Sequence, residues 1–261
     1  MKYTLAEDAK PQVPLLVTAS AVSVGLWVVS FFIPVTSYLV YPLQLFATFV
    51  HEGGHALAAF ITGNSVSSLT VSPDTSGMVW SQASGFSGLF ISSAGYLGTT
   101  AFGTLLLVWM RYSLSSRWAL YFSAAFVGIM TVVFGFIAPF LNLLANVTFG
   151  SVVFTIFSGA VLTVGLAAIA KFASLKWVNF ALAFLSVQCL LNALFSLKSL
   201  FVISAATNQS SDAANMAAAT GVPALLWVFL WIGISLIMIT AGIRLYAASK
   251  AGTSADTVFE G

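Results

Sequence analysis

Two histidines and a glutamate form the part of this sequence best suited to chemistry. The run His51-Glu52-Gly53-Gly54-His55 contains the only two histidines of the 261-residue chain. On a helix, a spacing of four residues places both imidazoles on one face, about 5–6 Å apart. Two such nitrogens can bind one zinc ion at about 2.0–2.1 Å each, and Glu52 can then hold a metal-bound water and take its proton. The pattern therefore predicts a catalytic Zn²⁺ site.

Polar residues continue the helix face that carries the histidines. Gln44, Thr48, His51 and His55 recur at steps of four, three and four in an otherwise apolar segment. Burying imidazoles and a carboxylate in a membrane is costly, and such residues usually serve a function. A chance match is the alternative, but it would have to place both histidines of the chain in this arrangement. We therefore favour the metal site.

The third metal ligand should be a carboxylate. A catalytic zinc ion normally has three protein ligands and one position for water, and the single cysteine, Cys189, excludes a cysteine-based site. Away from the two ends of the chain, the acidic residues are Glu52, Asp74 and Asp212. Glu52 is the expected base, so the choice lies between Asp74 and Asp212.

Each aspartate also has a purely local interpretation. Asp74 follows Pro73 in a turn-like run, where aspartate commonly makes local hydrogen bonds. Asp212 follows two serines and resembles a helix N-cap. Four predicted membrane crossings separate the histidine helix from Asp212, and an even number returns the chain to the side where the histidines lie nearest. We therefore predict Asp212 as the third ligand.

The composition places these residues in a membrane. Hydrophobic residues make up 59% of the chain and charged residues 6%, whereas soluble domains carry about 25% charged residues. Such a chain needs the lipid bilayer to cover most of its surface. The net charge of +2 and the lack of a basic cluster indicate no nucleic-acid partner.

Apolar runs predict about seven membrane-spanning helices. Near Pro139 and Asn146 the pattern allows either two spans or one long kinked helix. The predicted spans are residues 13–34, 38–61, 85–110, 118–138, 147–170, 177–203 and 222–246.

Residues 66–82 interrupt the helical pattern. Polar and apolar residues alternate there around a turn at Pro73-Asp74, which predicts a β-hairpin. The predicted fold is an all-α membrane protein, a polytopic helical bundle with a short β-hairpin after the zinc-binding helix. One domain, 13–250, lies between polar tails at 1–12 and 251–261.

Asn192 and the predicted hairpin each admit two interpretations. Asn192 lies on a polar face of the sixth predicted span, where it could stabilise an oxyanion or simply hydrogen-bond to a neighbouring helix. The hairpin could pair with an extended substrate or be a plain connection. Small residues in the third predicted span favour close helix packing against the zinc helix; they are Gly88, Ser92, Gly95, Thr99 and Gly103.

These features resemble the site-2 protease family of intramembrane zinc metalloproteases (peptidase family M50), in particular its short M50B-like branch without a PDZ domain. The resemblance rests on the histidine motif, the hairpin, the run Ser92-Ser93-Ala94-Gly95, and Asn192 followed by the loop at Asp212. It implies zinc-dependent peptide hydrolysis at or within the membrane. Glu52 would be the general base, and His51 and His55 the first two ligands. The family's late motif, asparagine followed by proline and then Asp-Gly, is altered here.

The sequence therefore predicts a multi-pass metalloprotease of a prokaryotic cell membrane, acting on membrane protein substrates, with the oligomeric state open. One alternative is a non-catalytic relative that binds and regulates a membrane partner; the presence of Glu52 argues against it. A transporter or metal carrier is the third class. It is disfavoured because we find no internal repeat and no second charged cluster.

Overall fold

A computed structural model describes residues 10–83, 85–111, 115–207 and 209–248. Most of the tail predicted at 1–12 and all of that at 251–261 lie outside these residues. The helices are α1 (Val13–Phe32), α2 (Ser37–Ile61), α3 (Phe86–Arg111), α4 (Ser116–Ile129), α5 (Ala138–Leu141), α6 (Phe149–Phe172), α7 (Leu175–Ala206), α8 (Asp212–Thr220) and α9 (Ala224–Ala247). Strands β1 (Val66–Val71) and β2 (Gly77–Ser81) lie between α2 and α3.

The polytopic helical bundle is confirmed. Within the described ranges, six helical segments are long and apolar enough to cross a membrane: α1, α3, the continuous run Ser116–Leu141 (α4, the π-helical turns Met130–Ile137 and α5), α6, α7 and α9. The remaining predicted span, residues 38–61, corresponds to α2. Its 25 residues are enough to cross a bilayer core of about 30 Å. Its polar residues lower its hydropathy, however, and it is not among the six apolar segments.

The chain between α5 and α6 is a break, so two separate helices form there. The backbone after α5 takes positive φ angles at Leu143, Leu144 and Asn146 (53°, 56° and 65°), which no α-helix can contain. Helix α6 then begins after Thr148, whose hydroxyl accepts a hydrogen bond from the backbone N–H of Ser151. One long kinked helix is therefore excluded.

The predicted β-hairpin is present. Strands β1 and β2 pair antiparallel, with Leu69 opposite Val79. In the turn, Asp74 Oδ1 accepts hydrogen bonds from the hydroxyl and the backbone N–H of Ser76, at 2.6 and 3.0 Å. These bonds hold the pKa of the Asp74 carboxyl below its usual value. Asp74 thus has the local turn role that the sequence left open.

Hydrogen bonds on two sides hold the hairpin against the bundle. The Tyr41 hydroxyl and the Thr48 hydroxyl, both on α2, donate to the backbone carbonyls of Pro73 and Thr75, each at 2.7 Å. On the other side, the Thr155 hydroxyl of α6 accepts from the backbone N–H of Val71 at 2.8 Å. The hairpin is therefore fixed beside the histidine helix. Thr48, on the polar face of α2, serves this anchoring.

Helices α2 and α3 approach each other closely through small residues. A Cβ added at Gly54 of α2 would lie 2.4 Å from the backbone oxygen of Ala94 on α3. The α-carbon of Gly54 would lie only 3.6 Å from a Cβ at Gly98. The small-residue run of α3 therefore seats this helix against the histidine helix, as the sequence predicted.

Helix α8 is positioned by its caps and by the helices beside it. The Ser211 hydroxyl accepts from the backbone N–H of Ala214 at 3.2 Å and caps the first turn. The helix ends at Gly221, whose φ of 73° is favoured by glycine. Ala213 and Met216 are buried in a cluster with Tyr96 of α3 and Trp231 of α9. Asp212 is thus the first residue of a helix that lies over α3.

Candidate metal centre

The two histidines of α2 point their Nε2 atoms at one position. These atoms are 3.2 Å apart, and two ligands at about 2.0–2.1 Å from a tetrahedral ion would lie about 3.3–3.4 Å apart. The Nδ1 atom of His55 lies 2.7 Å from the backbone oxygen of Ile91. A hydrogen bond donated from Nδ1 to that oxygen leaves the Nε2 lone pair free for a metal.

Asp212 completes this group from a distant part of the chain. Its Oδ2 atom lies 3.5 Å from His55 Nε2 and 4.0 Å from His51 Nε2. All three ligand atoms lie within 4.8 Å of one another. Because Ser211 caps α8, the Asp212 carboxylate is free to face the histidines.

The Asp212 carboxyl also has the charge state that a metal ligand needs. Burial raises its pKa, but the neighbouring His55 outweighs burial and holds the pKa below its usual value. The group is therefore a carboxylate at neutral pH. Ligands must be deprotonated to bind a metal, and the Asp212 carboxyl meets this condition.

Gly95 of α3 leaves the room that an ion would need. A Cβ at this position would lie 2.3 Å from His55 Nε2 and 2.5 Å from His51 Nε2. Space next to both nitrogens therefore exists only because residue 95 has no side chain. Two imidazoles and one carboxylate are a donor set found in catalytic zinc sites. The residues present thus fit a metal with one position left for a reacting group.

Glu52 lies beside this group and is held by the hairpin. Its side chain is 6% exposed. A Cβ at Gly77, the first residue of β2, would lie 2.5 Å from Glu52 Cγ and 2.7 Å from its Oε1. Glycine at position 77 therefore lets the strand pack directly on the glutamate, which fixes the carboxylate at the edge of the site.

A cavity of about 770 Å³ opens over these residues. Its walls come from α2, α3, α8 and β2, and all five residues of β2 contribute. The lining includes His51, Glu52, His55 and Asp212. The glutamate and the candidate metal ligands thus face the same cavity.

The structure separates the sequence-predicted site residues into two groups. It brings His51, Glu52, His55 and Asp212 to one cavity. It does not bring Asn192 there: this residue is not among the described residues that line the cavity, and its side-chain oxygen accepts a 3.4 Å hydrogen bond from Ser196. The proposed oxyanion role of Asn192 therefore has no support from its position.

Tyr96 and Asn215 also line the cavity, although the sequence analysis did not single them out. Asn215 lies three residues after Asp212, so it shares a helix face with the aspartate. Tyr96 directly follows Gly95 and lies four residues after Ser92, which also lines the cavity. Their spacing from a predicted ligand and from the small-residue run was the signal that could have identified them.

Fold and site together define a multi-pass membrane protein with a metallopeptidase-like centre. Residues 24–242 match the family model described as Peptidase M50B-like. This chain belongs to that family, and its resemblance to the site-2 proteases is thereby confirmed. No curated protein and no solved structure matches the chain.

Proposed function

We propose that this protein is a zinc endopeptidase that hydrolyses peptide bonds of membrane protein substrates. The observation that carries the proposal is the convergence of His51, His55 and Asp212 on one space beside Glu52. The family match supports the peptidase class. The ligand set supports zinc, because two histidines and a carboxylate are common ligands of catalytic zinc and leave a position for chemistry.

The protein's own groups account for the proton transfers of hydrolysis. A bound zinc ion would supply Lewis acidity, which activates water and polarises the scissile carbonyl. Glu52 takes a proton as the water oxygen bonds to the carbonyl carbon. It then passes this proton to the amide nitrogen as the C–N bond breaks, so that a carboxylic acid and an amine leave. Its position next to the candidate ligands suits both steps.

Strand β2 provides a surface for an extended substrate. In the described two-stranded sheet, β2 pairs with β1 along one edge and has no partner strand along the other. Such an edge offers backbone donors and acceptors to another strand. Met78 and Trp80 are exposed and line the cavity, where they can contact apolar side chains of a membrane protein. A substrate paired with β2 would lie alongside Glu52.

Metal removal tests this function. We expect the detergent-purified protein to cleave members of a quenched-fluorescent peptide library rich in apolar residues. Treatment with a chelator should abolish cleavage, because the ion would supply the Lewis acidity that activates the attacking water. Adding about one equivalent of Zn²⁺ should restore it.

Cleavage that survives complete metal removal would contradict the proposal. A protein that binds zinc but cleaves no peptide in the library would favour the non-catalytic relative instead.

A further inference from the structure

Tyr96 lies where a substrate would react. It belongs to α3, directly after the glycine that leaves room for the metal, and it lines the cavity. Its ring packs edge-to-face against His51, with centroids 4.6 Å apart and an angle of 85°. A side chain in contact with a candidate ligand cannot be far from the carbonyl that the metal would polarise.

The ring of Tyr96 is held in place from its other side. Trp231 of α9 stacks on it with centroids 5.3 Å apart and planes 16° from parallel. Trp231 is itself 1% exposed, and its Nε1 donates to the Ser93 hydroxyl at 3.1 Å. A phenol fixed between an imidazole and a buried indole presents its hydroxyl in one direction. Such preorganisation is what a group needs to stabilise charge in a transition state.

The hydroxyl of Tyr96 has no hydrogen-bond partner among the described residues, although the residue is only 8% exposed. The Tyr41 hydroxyl, in contrast, donates to Pro73. Tyr96 lines the same cavity as Asp212 and Glu52. The residue lines the cavity, so a substrate group that enters the cavity can accept a hydrogen bond from this hydroxyl.

We propose that the Tyr96 hydroxyl donates a hydrogen bond to the oxyanion that develops on the substrate carbonyl during hydrolysis. The inference rests on the proposed peptidase function. When water adds to the carbonyl carbon, the C=O π electrons move to oxygen and its negative charge grows. A neutral phenol keeps its proton and donates to that charge more strongly than to the uncharged carbonyl, which lowers the barrier. Tyr96 thus takes the oxyanion role that the sequence analysis gave as one of two interpretations of Asn192.

The test compares Tyr96→Phe with Tyr121→Phe. Phenylalanine at position 96 keeps the ring contacts with His51 and Trp231 and removes only the hydroxyl. Tyr121 packs on Trp118, away from the cavity, so its variant controls for loss of a phenol. The probe is a fluorescein-labelled peptide phosphonate, a stable tetrahedral mimic of the hydrolysis transition state, and its binding to zinc-loaded protein is followed by fluorescence anisotropy.

We expect Tyr96→Phe to weaken phosphonate binding by about 10–100-fold, the usual effect of losing a hydrogen bond to a charged group. The kcat for peptide cleavage should fall by about 10²–10³, with little change in KM and with zinc content retained. Tyr121→Phe should match the wild type in all four quantities.

Equal phosphonate affinity for the wild type and Tyr96→Phe would overturn the role of Tyr96 and leave the peptidase proposal standing. A wild-type protein that neither binds the phosphonate nor cleaves peptides would overturn both. A drop in zinc content in Tyr96→Phe would also overturn the inference, because it would show that the hydroxyl supports the metal site rather than the oxyanion.

Discussion

Glutamine in place of Glu52 is expected to abolish peptide cleavage while the metal stays bound. The amide has nearly the shape of the carboxylate, so it can keep the same packing on Gly77. It cannot accept the proton of the attacking water, and loss of a general base typically costs about 10²–10⁴ in rate. The measurement is kcat/KM on the best library peptide, together with zinc per chain.

Asp74→Asn is the matched control for this experiment. Its side-chain oxygen can still accept both hydrogen bonds from Ser76, so the hairpin turn should form and activity should stay near that of the wild type. If Glu52→Gln cleaved at the wild-type rate, the base would have to be another group and the proposed mechanism would be wrong.

Alanine at position 95 is expected to remove the metal without unfolding the protein. The added methyl group would lie 2.3 and 2.5 Å from the two Nε2 atoms, whereas non-bonded atoms prefer about 3.5–4.0 Å. The histidines would have to turn away or the helices separate, and either change breaks the ligand geometry. Zinc content should fall from about one per chain to less than about one tenth, with the unfolding temperature in detergent showing that the bundle persists.

Gly98→Ala on the same helix is the control for this substitution. Its methyl group would meet only the α-carbon of Gly54 at 3.6 Å, an ordinary contact, so its zinc content should equal that of the wild type. Full zinc binding by Gly95→Ala would mean that the ion does not bind between the two imidazoles.

Part of the site could be predicted because it is local. His51, Glu52 and His55 lie on one helix, whose 3.6-residue repeat determines how their side chains are directed. The hairpin was equally predictable, since strand alternation and turn residues act over a few positions. Asp212 could be predicted only from the even number of membrane crossings between it and the histidine helix. The structure agrees with that argument, because four long helical segments lie between α2 and α8.

The rest of the site could not be predicted from the sequence, because it depends on packing between segments that are distant in the chain. Asp74 and Asp212 each follow turn-forming or capping residues, so the sequence could not separate them; in the structure Ser76 binds Asp74, and Ser211 rather than Asp212 caps α8. The direction of the Asn192 face depends on how α7 packs on α3, which α7 alone does not reveal. Tyr96 was not singled out in the sequence analysis, because its cavity exists only where α2, α3 and α8 meet.

The role of Gly95 also could not be predicted from the sequence, because it depends on how two helices pack. The small-residue run correctly predicted that α3 packs closely on α2, since Gly54 and Ala94 nearly touch. The sequence did not show that one glycine of the run opens space beside the histidines, because that depends on the distance and rotation between the two helices.

The most direct measurement of the central claim is the zinc content of detergent-purified protein in four forms: the wild type, His55→Ala, Asp212→Asn and Asp74→Asn. The account predicts about one zinc per chain in the wild type and in Asp74→Asn. It predicts loss of zinc in His55→Ala and Asp212→Asn, because each removes one of the three converging ligands. A wild type without zinc, or an Asp212→Asn variant that keeps zinc while Asp74→Asn loses it, would contradict the account.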